Sequence, residues 1–106
     1  MFCLDDRNLT YKKVLKNMVH SHVYGYVSNR CNKFVEIDDI SLTNDKDFIT
    51  FKVNVIISKY SMIHRQLYVI CGYVNYLGKP HITIVKDIDN KKEYIKSLDD
   101  IENITF

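Results

Sequence analysis

The sequence predicts an α+β domain, one N-terminal helix packed on a curved antiparallel sheet of about five strands. Three observations carry that prediction. Ile49, Phe51, Val53, Val55 and Ile57 alternate with Thr50, Lys52, Asn54 and Ser58, the period-2 pattern of a half-buried strand. Tyr68 to Leu77 is largely apolar or aromatic at both parities, as in a strand covered on both sides. Upstream, Val14, Leu15, Met18 and Val19 recur at steps of one, three and four, which is one stripe of a helix.

The elements follow in order. Phe2, Cys3 and Leu4 read as a short first strand, ended by Asp5 to Asn8. Thr10 is placed to cap a helix over Tyr11 to about Ser21. Val23 to Val27, rich in aromatic and β-branched residues, reads as a strand, with Gly25 marking a bulge or a close backbone approach. Ser28 to Lys33 is a turn, and Phe34 to Ile40 is an exposed strand because Glu36, Asp38 and Asp39 interrupt it. Thr43 to Asp47 is a loop. The two central strands follow, joined by a polar connector from Ser58 to Gln66. Gly78-Lys79-Pro80 makes a tight turn into a strand over His81 to Val85. Asp87 to Glu93 reads as a charged loop, and Tyr94, Ile95, Leu98, Ile101 and Ile104 space as a short amphipathic helix with a tail.

Composition bounds the function. The chain of 106 residues forms a single domain, 1–106. Hydrophobic residues are 46%, enough for a core and too many for disorder. A formal net charge of +2 does not demand nucleic acid. Cys3, Cys31 and Cys71 are odd in number and irregularly spaced, which argues against a disulfide framework and for a reducing cytoplasm. No apolar run reaches the ~18 residues of a membrane span. MFCLDD turns acidic at once, unlike a signal peptide.

Reactive residues are sparse. On a strand His20 and His22 would share a face and reach one ion, with Cys31 near, but no fourth ligand stands at conventional spacing. Two half-exposed histidines at a helix-to-strand junction is the simpler reading, and no metal or cofactor is assigned. Cys31 or Cys71 with His64 or His81 would make a nucleophile and base. Nothing activating adjoins Cys71, which lies in the most apolar run as inert packing. Asp5-Asp6 and Asp38-Asp39 are adjacent, so on a strand their carboxylates diverge. No Gly-rich phosphate loop or Ser-centred elbow is present. These observations favour a non-catalytic protein. Tyr24, Tyr26, Tyr60, Tyr68, Tyr73 and Tyr76, with Lys52, Lys59, Arg65 and Lys79 near them, are residue types that stack bases and track phosphates. They are equally good strand formers and interface residues.

Tyr11 to Val74 resembles the N-terminal tip part of the stalk subunit of multisubunit DNA-dependent RNA polymerases, in the short versions of poxvirus-type or cytoplasmic linear-plasmid enzymes. The resemblance lies in YKKVLKNMVHSHVYGYV with its exit at Gly25, in FVEIDDISL, in ITFKVNVIISKY, and in LYVICGYV with Gly72 before Tyr73-Val74. It is a likeness of element order and apolar spacing. It implies a tip-like part over 1–74, and over 75–106 divergent strands and a short helix that make a truncated OB-like part. It also implies a cytoplasmic, viral or plasmid-encoded accessory subunit in transcription, docking on the large polymerase subunits, with nascent RNA as a further partner. Loops at the end of a rigid sheet are free to bind. The expected partner contacts are therefore the turns Ser28–Lys33 and Lys59–Arg65, specifically Tyr60, Met62, Ile63 and Arg65, with Arg30 and Lys33. The alternative is a stand-alone OB-like protein that binds single-stranded nucleic acid. A third reading is a small protein that blocks a host factor through the sheet edge.

Overall fold

The apolar stripe of the first helix runs much further than Ser21. Leu15, Val19, Val23 and Val27, each four residues after the last, are all at most 1% exposed. They lie one above another on a single α-helix, α1 (Leu9–Ser28). The expected strand at Val23–Val27 is therefore helix. β-branched valines are mediocre helix formers, and burial against the sheet outweighs that preference. Each such side chain contributes ~1.5–3 kcal/mol when fully buried. Gly25 marks neither a bulge nor a close approach, since a Cβ built there meets nothing within 4 Å. Thr10 lies inside the first turn instead of capping it. Val14, expected on the stripe, is 47% exposed.

The computed structural model describes residues 9–45, 48–60, 63–96 and 100–106. The expected strand at Phe2–Leu4 lies outside them, as do Cys3, Met62 and Leu98. After α1 come β1 (Phe34–Asp45), β2 (Phe48–Tyr60), β3 (Ile63–Val74), β4 (Pro80–Asp87), β5 (Lys92–Ile95) and the short α2 (Asp100–Asn103). The five strands form one antiparallel sheet in the order β1-β2-β3-β4-β5. One helix on a five-stranded antiparallel sheet is the predicted class. The sheet is open: β1 and β5 each pair on one side only, so it does not close into a barrel. That corrects the OB-like C-terminal part, because the chain after β5 returns to the helix instead of adding strands.

The inner face of the sheet carries the core. Ile49, Phe51, Val53, Val55 and Ile57 of β2 are 0–3% exposed, as their alternation predicts. Opposite them on β3 stand Val74, Gly72, Ile70, Tyr68 and Gln66. α1 covers this face, lying against β1 and β4. Gly72 is required at a close approach: any Cβ there would run into the His81 carbonyl oxygen and the Phe51 ring. The register between β3 and β4 shifts at this point, between Cys71 and Gly72.

Three connections differ from expectation. The polar stretch Ser58–Gln66 is mostly strand, since β2 and β3 stay paired out to Tyr60 opposite Ile63. Likewise β1 continues through Thr43 to Asp45, so the loop is shorter than its polarity suggested. Tyr94 and Ile95 form the fifth strand, opposite Val85 and Ile84, in place of a helix. Tyr76 and Leu77 belong to a turn and are 84% and 68% exposed. In that turn the Asn75 side-chain oxygen accepts from the Leu77 and Lys79 N–H groups at 2.9 Å each, and Gly78 takes φ 83°.

The C-terminal residues seal one end of the core. Ile101, Ile104 and Phe106 are 1–7% exposed. The Phe106 N–H donates to the Arg30 carbonyl at 3.0 Å, and the Tyr26 hydroxyl donates to the Ile101 carbonyl at 2.6 Å. The Phe106 ring meets Tyr26 and Tyr68 edge-on, with centroids 5.9 and 4.9 Å apart. Burial pushes the Tyr26 and Tyr68 hydroxyls up to about 12; for Tyr68 the nearby Asp87 carboxylate adds to this. Among the described residues no helix is long and apolar enough to cross a membrane.

Candidate functional site

Two regions of the sheet carry the residues the sequence singles out. The first is the end where β2 turns into β3. Phe34, the first residue of β1, pairs with Ser58, and Ser58 pairs with Arg65. The turn after α1 and the β2–β3 hairpin therefore lie side by side, so the two predicted contact segments come together. On the other flank, the last residue of β4, Asp87, pairs with Tyr68. Just beyond, the Ile88 N–H donates to the Leu67 carbonyl at 3.1 Å, and the Leu67 N–H donates to Asp89 at 2.9 Å. The pair Tyr60–Ile63 lies past both flanking strands, so the hairpin projects from the sheet.

The predicted residues at this end divide. Arg65 is exposed and reaches Glu36 of β1 at 3.6 Å. Lys33 is exposed in the turn. Tyr60 and Ile63 stand on the projecting hairpin, and Met62 lies outside the described residues. Arg30 is built into the fold. Its guanidinium sits 4.1 Å from the centroid of the Tyr26 ring, donates to the Tyr26 carbonyl at 3.1 Å, and pairs with Glu102 at 3.7 Å. The carbonyl bond satisfies one of the orphan acceptors at the helix C-terminus.

The second region is the outer face of the sheet, opposite α1. Phe48 of β2, Tyr73 of β3 and His81 of β4 form a row across three adjacent strands. Phe48 and Tyr73 meet edge-on at 5.9 Å, and Tyr73 and His81 stack at 5.2 Å with their planes 22° apart. His81 is fixed by Asn75, whose side-chain nitrogen lies 3.1 Å from the ring Nε2. Phe48 is 53% exposed. Further along this face Lys52 and Lys86 flank Cys71. Burial pushes the Cys71 thiol up, against the pull of the two lysines, so it is a poor nucleophile.

The remaining candidates separate. His20 and His22 sit on a helix, where two residues are about 200° apart, so they cannot share an ion as strand neighbours would. His20 stacks on Tyr24 at 6.2 Å, and burial, with the charge of His81, pushes the His22 pKa down. Among the described residues no three His, Cys, Asp or Glu side chains converge on a point. Cys31 and Cys71 are free thiols. The tyrosines sort by element: Tyr24 and Tyr26 are helical, Tyr68 is in the core, Tyr73 is on the outer face and Tyr76 is in a turn. A groove of about 690 Å³ runs between α1 and the start of β4, past His22, Tyr26, Arg30, Lys79 and Glu102. Its Arg30 and Glu102 neutralise each other.

Phe48 and Lys86 are functional candidates that sequence reasoning missed, and His81, weighed there only as a base, joins them on this face. The signal was available in the hairpin: pairing Tyr60 with Ile63 puts Thr50 opposite Tyr73, and parity then places Phe48 and Lys52 on the Tyr73 face.

No family model, curated protein or solved structure matches the chain.

Proposed function

We propose that this chain is a non-catalytic docking subunit, which meets the large subunits of a cytoplasmic viral or plasmid DNA-dependent RNA polymerase through the hairpin end of its sheet. The observation that carries the docking part is the meeting of two contact turns beside a hairpin that runs past its neighbours. A rigid sheet that presents a projecting hairpin offers a partner main-chain and side-chain groups at little ordering cost. Lys33 adds an exposed cation at the same end, beside the Arg65–Glu36 pair. The polymerase as partner rests on the resemblance of Tyr11–Val74. The OB-like alternative is less well supported, because the open sheet supplies no barrel groove.

The experiment is affinity purification of the tagged protein from its native cell, with mass spectrometry of what accompanies it. Large polymerase subunits in near-equal amount are the expected result. A chain recovered without them sinks the polymerase assignment. Replacing Met62 and Ile63 together by Asp should release the partner and leave the circular dichroism unchanged. A folded double variant that still co-purifies would move the contact away from the hairpin.

A further inference from the structure

We infer that the outer face of β2, β3 and β4 is a binding face for single-stranded nucleic acid, with bases stacked on the Phe48–Tyr73–His81 row and phosphates tracked by Lys52 and Lys86. This does not depend on the docking reading: it concerns the other side of the sheet and needs no polymerase.

Charge is the first argument. Register and parity place Phe48, Thr50, Lys52, Asn54, Ile56 and Ser58 of β2 outward. From β3 they place Arg65, Leu67, Val69, Cys71 and Tyr73 outward. Ile84 and Lys86 of β4 stand opposite Cys71 and Val69 and share that side. None of these is acidic. The one carboxylate within the three strands, Asp87, is paired with Tyr68 and faces the core, 6% exposed. By register the acids on this side stand on the flanking strands, Glu36, Asp39 and Asp45 of β1 and Glu93 of β5, with Asp45 opposite Phe48 and Glu93 opposite Lys86. A chain of net charge only +2 thus carries a central stripe of one sign. Such a stripe favours a polyanion that runs along it.

The rings are the second argument. Three aromatic side chains on neighbouring strands, 5.2 and 5.9 Å apart, form one row on a rigid support, with Phe48 its most exposed ring. Bases stack on such platforms whatever their identity, because each has a π-face. The row needs unpaired bases, which selects a single strand over a duplex. Lys52 lies on the same face of β2 as Phe48, four residues on, so ring and ammonium stand along one strand about two pleats apart.

The test uses the purified full chain and fluorescently labelled single-stranded oligonucleotides of mixed sequence, RNA and DNA in separate arms. Binding is read by anisotropy between about 50 and 200 mM salt. The wild type should bind at low salt and weaken as salt rises. Phe48→Ser should weaken it about tenfold; half-exposed Phe48 is dispensable for the core. The pair Lys52→Gln and Lys86→Gln should lower the log–log salt slope by about 1.4, two phosphates' worth for a single strand. Lys13→Gln, on an exposed position of α1, should change neither. A wild type that shows no binding at low salt overturns the inference. So does binding that Lys13→Gln weakens as much as the outer-face variants do. Sedimentation that finds a dimer dissolved by Phe48→Ser would assign the face to a second copy of the chain and overturn it likewise.

Discussion

The two faces of this sheet are made by the same strands, residue by residue in alternation, yet they obey different constraints. On the inner face of β2 every side chain from Ile49 to Ile57 belongs to the core, and none is more than 3% exposed. The outer face of the same strand holds Phe48, Thr50, Lys52, Asn54 and Ile56, exposed or half-buried. The inner residues are tied to stability and the outer ones are free to be chosen for binding. Substitutions at neighbouring positions should therefore have unrelated effects.

The largest effect is expected at the centre of the inner face. Val55→Asp buries an unpaired carboxylate, at a cost of several kcal/mol. It should leave the chain unfolded by circular dichroism; a folded variant would reverse the assignment of the two faces. Next is Gly72→Ala, whose methyl group would meet the His81 carbonyl and the Phe51 ring. Overpacking of this kind costs about 1–3 kcal/mol, to be read as a lower denaturant midpoint. Alkaline titration probes the same face more gently. Tyr68 holds its proton up to about 12 in the fold against an ordinary value near 10. Its contribution is complete below pH ~10 and is lost as pH rises toward 12, because the unfolded chain gives up that proton first. Tyr68→Phe should flatten the fall in stability across that window. Gly25→Ala should stabilise by at most about 0.5–1 kcal/mol, since the site is helical, in the last turn of α1, with open space around it. The smallest change is expected outside: Phe48→Ser should move the thermal midpoint by no more than about 0.5 kcal/mol allows. A large drop there would mean that the outer row supports the fold.

Periodicity made part of this molecule legible. Five alternating β2 positions, the sheet-forming run of β3 and the stripe at Leu15 and Val19 are where the sequence places them. Helix against strand was misread at Val23–Val27, because valine and tyrosine favour strands locally while a four-residue spacing continued an existing buried stripe. Length arbitrates there: one stripe from Leu15 to Val27 needs a single helix. Polarity misled at Ser58–Gln66, where a hairpin past the edge of the sheet has no reason to be apolar. Tyr94 and Ile95 were misread because a four-residue strand is too short to show alternation, and Ile101 and Ile104 extend its spacing in a helical pattern. Of the contact residues, Lys33 and Arg65 were legible from position in turns. Arg30 was not, because its partners Tyr26 and Glu102 meet it only once the C-terminal residues fold back. The aromatic row depends on register across three strands, which no single window of sequence contains.

The strand order has a kinetic consequence. Each strand lies beside the one that precedes it in the chain, so every ladder closes over a short turn. The entropy lost in bringing two segments together grows with the logarithm of the loop between them, and neighbouring hairpins lose little. The sheet can zip progressively from β1 to β5, as chains rich in local contacts do when they fold fast. The non-local contacts are those of α1 with β4 and the return of the C-terminus, where the Tyr26 hydroxyl meets the Ile101 carbonyl across 75 residues. Assembly should therefore be quick for the hairpins and should wait, at its last step, on the arrival of Phe106 at Arg30.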